Sequence, residues 1–398
     1  MNIVIFSYNF FPQADAESYC ATRFASALAR AGHNVTVVTM DWDMQVSAAT
    51  YDALVADGMR IVRVPFSNIK NSPIKALLWY GHNSQMAVDV KACAREVTKV
   101  LKSLDSPILV TRTHPVMSAM VGLRTYKYAN RWIAHFSDPI PWMGYADTIG
   151  HRLLKRLEVN ILSKTFRKAD LISVTCHHVC RYFKDIYGKS FDENKVCVTT
   201  HIGDYRISPK SSDDIGVVSN LILHPGSIFA DRGGAIIPQV MSRLLQSSVE
   251  CKFVQVGSVD NALKNVLVKT DNIEIYDTIS VEKSIELKNS AKAIFVPDFE
   301  SEYPYSPFIL SKFVYHIMED KVIVLYSKKD CEMRDYAINY PEAGIIWAEM
   351  GNRESLQSAI IKAMKFDNSK IDRTRIRKCF AEETIVQNFE KALKRILN

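Results

Sequence analysis

Residues 296–326 read VPDFESEYPYSPFILSKFVYHIMEDKVIVLY, and the order of chemistry in them points to a parallel α/β sheet. Ala293-Ile294-Phe295-Val296 is a short apolar run closed by Pro297, as expected of a strand buried on both faces. Ser306-Pro307 has the form of a helix start, with serine as N-cap and proline in the first helical position. From Phe308 the apolar residues Phe308, Ile309, Phe313 and Ile317 fall at helical spacing, and Val322-Ile323-Val324-Leu325 is a second strand. A helix that opens beyond a strand's carboxyl end turns free N–H groups toward an anion, and Lys312 adds a cation one turn in. The same residues also suit an ordinary strand-to-helix turn with a capping serine.

Outward from this stretch the unit recurs. Residues 2–6 form an apolar strand, Asn9–Ser18 a polar loop, Tyr19–Ala31 a helix ended by Gly32, and Val35–Thr39 the next strand. Ligands of such sheets bind beyond the strands' carboxyl ends, so the loop with Asp15 faces the expected site. It carries Ala14-Asp15-Ala16-Glu17 where a phosphate loop would carry glycines. Further strands are read at Arg60–Val64, Ile108–Thr111, Trp132–Phe136, Leu171–Val174 and Val196–Val198. Helices are read at Met86–Leu104, Met117–Asn130 and His151–Lys168, and a mobile polar segment is expected at Asn68–His82.

Arg112-Thr113-His114-Pro115 and Ser137-Asp138-Pro139 follow carboxyl ends of strands. Asp138 therefore sits at the catalytic edge, or makes an Asx-turn before its proline. The polar run Tyr205–Gly216 marks a domain boundary. It divides the chain into residues 1–205, residues 206–380, and a terminal helix at 381–398 expected to pack back toward the first domain. The second half repeats the logic. Leu221–Leu223 and Cys251–Gly257 are strands, Arg232-Gly233-Gly234 precedes a helix at Ala235–Gln246, and helices follow at Val281–Ser290, Glu354–Met364 and Glu382–Leu397. The expected fold class is α/β, two doubly wound Rossmann-like domains facing across a ligand cleft.

Composition narrows the partners. A chain of 398 residues exceeds one ordinary core, and 47% hydrophobic with 23% charged residues is globular usage. No run of about 20 apolar residues is present to span a bilayer. The first residues read as a strand and not as a signal peptide. Eight scattered cysteines fit reduced thiols in the cytoplasm. Cys176-His177-His178-Val179-Cys180 lacks a second ligand pair, so no metal is expected. The net charge of +7 admits an anionic partner such as a nucleotide, a phospholipid or a lipid diphosphate. No interleaved basic and aromatic motif points to nucleic acid. His151–Lys168 sets Arg152, Lys155, Arg156, Lys164, Arg167 and Lys168 against the single acid Glu158, with Leu153, Leu154, Leu157, Ile161, Leu162 and Phe166 as its apolar side. Such a helix lies on an anionic membrane or packs on the core with a solvated basic face.

Five segments in this order carry a family resemblance. They are Tyr8–Pro12 with Ala31–Val35, Arg131–Pro139, Thr200–Asp204, Gly226–Gly233, and Ser306–Lys312. With them the chain resembles the family-four (group 1) retaining glycosyltransferases of the GT-B fold, over nearly its whole length. The resemblance implies sugar transfer from a nucleotide-diphosphate sugar, with retention at the anomeric carbon, no metal and no cofactor beyond that co-substrate. The acceptor would be a lipid-linked oligosaccharide or cell-surface polysaccharide, and the location cytoplasmic, peripheral at the inner face of the membrane. Catalytic roles fall on Asp138 and Arg232. Donor binding falls on Gly226, Ser227, Arg232, Gly257, Ser306, Pro307, Phe308, Ser311 and Lys312. Asp15, His114 and His135 fall on the acceptor or sugar side. The chain departs from the family pattern in two places. Ser227 stands where a second basic residue is common. The paired acids are not intact either: Tyr315 occupies the ribose-binding position, with Glu300 or Glu302 standing in for the earlier acid. A nucleotide-sugar epimerase of the same fold and a catalytically degenerate nucleotide-sugar-binding partner are the alternative readings.

Overall fold

Apolar strands and capped helices alternate along the first half of the chain. In order come β1 (Asn2–Ser7), α1 (Ala16–Arg30), β2 (Asn34–Met40), β3 (Arg60–Val64), α2 (Ser84–Lys102), β4 (Ile108–Arg112), α3 (Met117–Thr125), β5 (Arg131–Phe136), α4 (Ile149–Lys168), β6 (Leu171–Val174), α5 (His177–Tyr187) and β7 (Val196–Val198). The strands pair in parallel in the order β3-β2-β1-β4-β5-β6-β7. The order reverses between β1 and β4, and a ligand crevice is expected beyond their carboxyl ends. The computed structural model describes residues 1–13, 15–42, 55–56, 58–66, 84–144, 147–203, 220–277 and 279–397. Ala14, Asp204, the segment at 68–82 and the polar run at 205–216 lie outside them.

The second half continues with β8 (Leu221–Pro225), α6 (Ile237–Gln246), β9 (Lys252–Val256), α7 (Asn261–Leu267), β10 (Ile273–Tyr276), α8 (Val281–Ser290), β11 (Ala293–Pro297), β12 (Tyr305–Ser306), α9 (Ser311–Ile317), β13 (Val322–Ser327), β14 (Asp330–Cys331), α10 (Glu332–Asn339), β15 (Ile345–Glu349), α11 (Arg353–Lys365), α12 (Thr374–Cys379) and α13 (Glu382–Leu397). Its main sheet is parallel in the order β10-β9-β8-β11-β13-β15, reversing between β8 and β11. Phe253, Phe295, Val324 and Tyr326 on that sheet pack with Ile237, Met241, Leu356 and Ile360 of the helices. The chain divides into two units, Met1–Ile202 with Phe380–Asn398, and Gly203–Cys379. Within the first unit α13 lies against α1. Phe389 meets Phe24 edge-on at 5.1 Å, and Glu382 pairs with Arg30 at 2.6 Å.

The middle of the 296–326 stretch departs from expectation. No helix begins after Ser306. Tyr305–Ser306 pairs instead with Asp330–Cys331, and α9 starts at Ser311 with Leu310 as an N-cap that makes no side-chain hydrogen bond. Phe308, Ile309 and Leu310 are all buried, with the Phe308 ring tilted against Phe299 at 4.9 Å. Successive side chains of an extended chain point to opposite faces, so a segment with core on both sides buries all three. Ser306 caps a turn: its Oγ accepts the Phe308 N–H at 3.4 Å. Two further differences follow the same logic. α3 stops at Thr125, where the Tyr126 ring stacks on Trp132 at 5.6 Å. α4 buries Glu158, Ile161, Leu162, Thr165 and Phe166, while Leu153 and Leu157, expected on its apolar core side, face solvent.

Candidate functional site

In the second unit the loops after β8, β9 and β11 meet at the point where strand order reverses. Gly226 follows β8 with φ +148° and Gly257 follows β9 with φ +124°, conformations that favour glycine. At Gly257 space demands glycine as well, because the clash is with backbone. A Cβ on Gly226 would stand 1.6 Å from the Lys312 Nζ, and one on Gly257 would stand 2.7 Å from the Gly226 carbonyl carbon. The Lys312 ammonium therefore rests directly on the Gly226 backbone. Beneath it, Gln255 Nε2 donates to the carbonyls of Gly226 at 2.5 Å and Gly257 at 3.4 Å. Its Oε1 lies 2.7 Å from His224 Nδ1, so the histidine is assigned the proton on Nδ1. Burial, then the charge of Lys312, hold His224 down at about 3, which keeps it neutral near pH 7.

Two cations share this place. Burial first and the Arg232 charge second push the Lys312 ammonium down to about 8. Arg232 lies in the Ala230–Gly234 turn, held by Gly233 at φ +73°, with its guanidinium 4.0 Å from the Phe299 ring centroid. Asp298, at the end of β11, is fully buried; burial pushes its carboxyl up to about 6, against hydrogen bonds from Ser306 and the Phe299 N–H and the charge of Arg232. The Glu300 N–H donates to the Asp231 carbonyl at 2.8 Å, tying the two loops together. Two cations against one buried carboxylate leave an excess of positive charge suited to an anion.

In the first unit Arg112 ends β4, buried and paired. Its Nε meets Glu17 Oε1 at 2.8 Å and its Nη2 meets Ser137 Oγ at 3.0 Å. Thr175 Oγ1 donates to the Ser137 carbonyl at 3.2 Å. These contacts hold the backbone beside Asp138, whose Oδ2 lies 3.4 Å from His114 Nδ1, both side chains partly exposed. Beyond Asp138 the Tyr187 and Tyr182 hydroxyls donate to the carbonyls of Ile140 and Pro141, each at 2.6 Å. His135 is separate from this pair. It lines a small cavity with Cys20, Phe24, Arg112 and residues 199–202, is 2% exposed, and has Nδ1 2.9 Å from Ser173 Oγ. Burial, then the charges of Arg112 and His201, hold its pKa well below the usual imidazole range.

Of the expected donor residues, Gly226, Gly257, Arg232 and Lys312 come together, with Ser227 adjoining. Ser306 acts through Asp298, Pro307 and Phe308 are buried beside it, and Ser311 opens α9. Glu300 and Glu302 are exposed on the loop after β11. The Tyr315 hydroxyl accepts from Lys288 Nζ of α8 at 2.9 Å, and Lys288 also meets Glu319 at 3.3 Å. Asp15 is the N-cap of α1, accepting the Ser18 N–H at 2.7 Å. Sequence reasoning missed Gln255, His224 and Asp298. Their signal was a polar residue inside or at the end of an apolar strand, where burial demands a partner. Among the described residues no cluster of three or more His, Cys, Asp or Glu gathers as a metal site.

Residues 18–200 match Glycosyltransferase Family 4. The whole chain superposes on sucrose-phosphate synthase from Thermosynechococcus elongatus at 15% identity, covering 100% of this chain and 99% of that one, with a TM-score of 0.69. It also superposes on Anabaena HepE, solved with UDP and glucose, at 12% identity, 99% and 100% coverage and a TM-score of 0.69. WaaG, a glycosyltransferase involved in lipopolysaccharide biosynthesis, matches at 15% identity over 98% of each chain, with a TM-score of 0.63. Likeness at these identities shows the fold, which is GT-B. No curated protein matches the sequence.

Proposed function

We propose that this chain, a glycosyltransferase of the GT-B type, moves a sugar with retention from a nucleoside-diphosphate sugar on its second unit. The acceptor in this reading is a lipid-linked oligosaccharide or cell-surface polysaccharide on the first unit. One observation carries the donor assignment: the largely buried Lys312 ammonium lies on the Gly226 backbone with a second cation, Arg232, acting on it. A diphosphate offsets the mutual repulsion of that pair, and its charge grows as the sugar leaves. The acceptor hydroxyl oxygen bonds to the anomeric carbon on the face the diphosphate vacates. The carbon–oxygen bond to phosphate breaks, its electron pair goes to the phosphate oxygen, and that oxygen takes the acceptor's proton. Preorganised cations lower the barrier in this scheme without calling on a metal. Asp138, oriented with His114, polarises the acceptor or a sugar hydroxyl.

The reading places the reaction at the cytoplasmic face of the cell membrane; among the described residues no helix is long and apolar enough to cross a membrane. Titration with UDP, GDP, ADP and dTDP, followed by incubation with the matching sugar donors, tests the proposal. One nucleotide is expected to bind, and its sugar donor to release it slowly, with the anomeric configuration kept in the product. Failure of all four to bind overturns the reading. Binding without turnover selects a nucleotide-sugar-binding partner, which the engagement of Tyr315 by Lys288 favours. Isomerised sugar without acceptor selects an epimerase.

A further inference from the structure

The helix α4 changes character along its length. Its second half is core: Ile161, Leu162 and Phe166 are buried, and Phe166 packs against Phe136, Phe183 and Phe191, each at 5.2 Å. Its first half does the opposite. Ile149 is 78% exposed, Leu153 59% and Leu157 44%. Four-residue spacing lines the three up as one stripe, about 12 Å long and within about 80° of arc. Three large aliphatic side chains aligned in water mark a surface made to be covered.

Charge identifies the cover. Arg152 and Arg156 are exposed beside the stripe, and Lys164, Arg167 and Lys168 continue the exposed side toward the helix end. The helix's single acid, Glu158, is 4% exposed and turned inward. Asp147, just before the helix, is taken up by Arg152 at 2.6 Å. A protein partner matching this surface would need apolar pockets and many acids in one patch. A bilayer with anionic headgroups supplies both chemistries at once, acyl chains for the aliphatics and phosphates for the cations.

We propose that the solvent face of α4 docks the chain on an anionic phospholipid bilayer, with Ile149, Leu153 and Leu157 entering the acyl boundary. The docking face belongs to the same rigid part of the first unit as Asp138. The strand β5 leads into Asp138, the carbonyls of Ile140 and Pro141 are pinned by α5, and Phe166 of α4 packs on Phe136 of β5 and Phe183 of α5. Docking stands whether or not the chain transfers sugar. Only its consequence, that the acceptor bears a lipid tail held in the same bilayer, rests on the function proposed above.

The experiment is flotation of the full-length protein with phosphatidylcholine vesicles and with vesicles that also contain phosphatidylglycerol, in the absence of any donor. Binding at least tenfold tighter to the anionic vesicles is expected. The triple variant Ile149→Ser, Leu153→Ser, Leu157→Ser is expected to lose at least tenfold, and Arg156→Glu with Lys164→Glu to lose the preference for phosphatidylglycerol. Nucleoside diphosphate affinity serves as the folding control and should not move. A second measurement needs no variant: amide exchange of the wild type should slow at residues 149–157 on anionic vesicles. No binding, equal binding to both vesicles, or a triple variant that floats like the wild type overturns the proposal. So does a wild-type dimer that the triple variant converts to monomer without any vesicle binding, since a second copy would then be the cover.

Discussion

Arg112 in the first unit and Lys312 in the second are both largely buried cations, and they are arranged oppositely. Arg112 is 2% exposed and answered at once by Glu17 at 2.8 Å and Ser137 at 3.0 Å. Lys312 is pressed down to about 8 by burial and by another cation, Arg232, and among the described residues no carboxylate is hydrogen-bonded to it. A buried charge with its partner built in is structure. A buried charge set beside its own kind is a cost that a ligand of opposite sign can relieve.

Arg112→Met leaves Glu17 buried without its partner, and a loss of about 3–5 kcal/mol in urea unfolding is expected. A loss under about 1 kcal/mol would show that the pair holds nothing together. Arg232→Ala should do the reverse, weakening nucleoside diphosphate binding by about 1–3 kcal/mol in calorimetry with the urea midpoint hardly moved. Unchanged affinity would remove Arg232 from the site.

Lys312→Met sharpens the same contrast. The folded-state pKa of Lys312, about 8, lies below its unfolded value, so between those two pKa values the unfolded chain holds more protons and stability rises with pH. At pH 7 the charged amine is a burden, and the methionine variant should be more stable by about 1–3 kcal/mol without ligand. Wild-type diphosphate affinity should fall by up to about tenfold from pH 7 to 9 as free Lys312 loses its proton, and the variant should lack that Lys312-dependent decline. A pH profile shared by both proteins would sink the assignment. The smallest effect is expected at Asp15. Asp15→Ala removes a helix cap and should cost about 1 kcal/mol of stability with turnover kept, as measured by thermal melting and donor consumption. Lost turnover in a stably folded variant would place Asp15 on the sugar side as well as at the cap.

The strands of both sheets were legible because runs such as Ile108–Arg112 and Val322–Ser327 are apolar, short and bounded by turn residues. The terminal helix Glu382–Leu397 was legible to its ends, since acids open it and bases close it. Ser306-Pro307 misled because a local cap pattern carries no information on whether the next three side chains are wanted in the core. Gly226, Gly257, Arg232 and Lys312 could be named from motif order. Gln255, His224 and Asp298 could not, because a buried polar side chain declares its task only when the neighbouring strand is known.

The sequence by itself determined the alternation of strand and helix, the two parallel sheets, and the residues that carry charge at their carboxyl edges. Those are local properties of periodicity and turn chemistry. Tertiary structure alone decided that the Lys312 ammonium rests on Gly226, that Tyr315 turns to Lys288, and that Leu153 and Leu157 face water. A helical stripe specifies that an apolar face exists and leaves its partner open. A charge likewise acquires its pKa from neighbours brought in from distant parts of the chain.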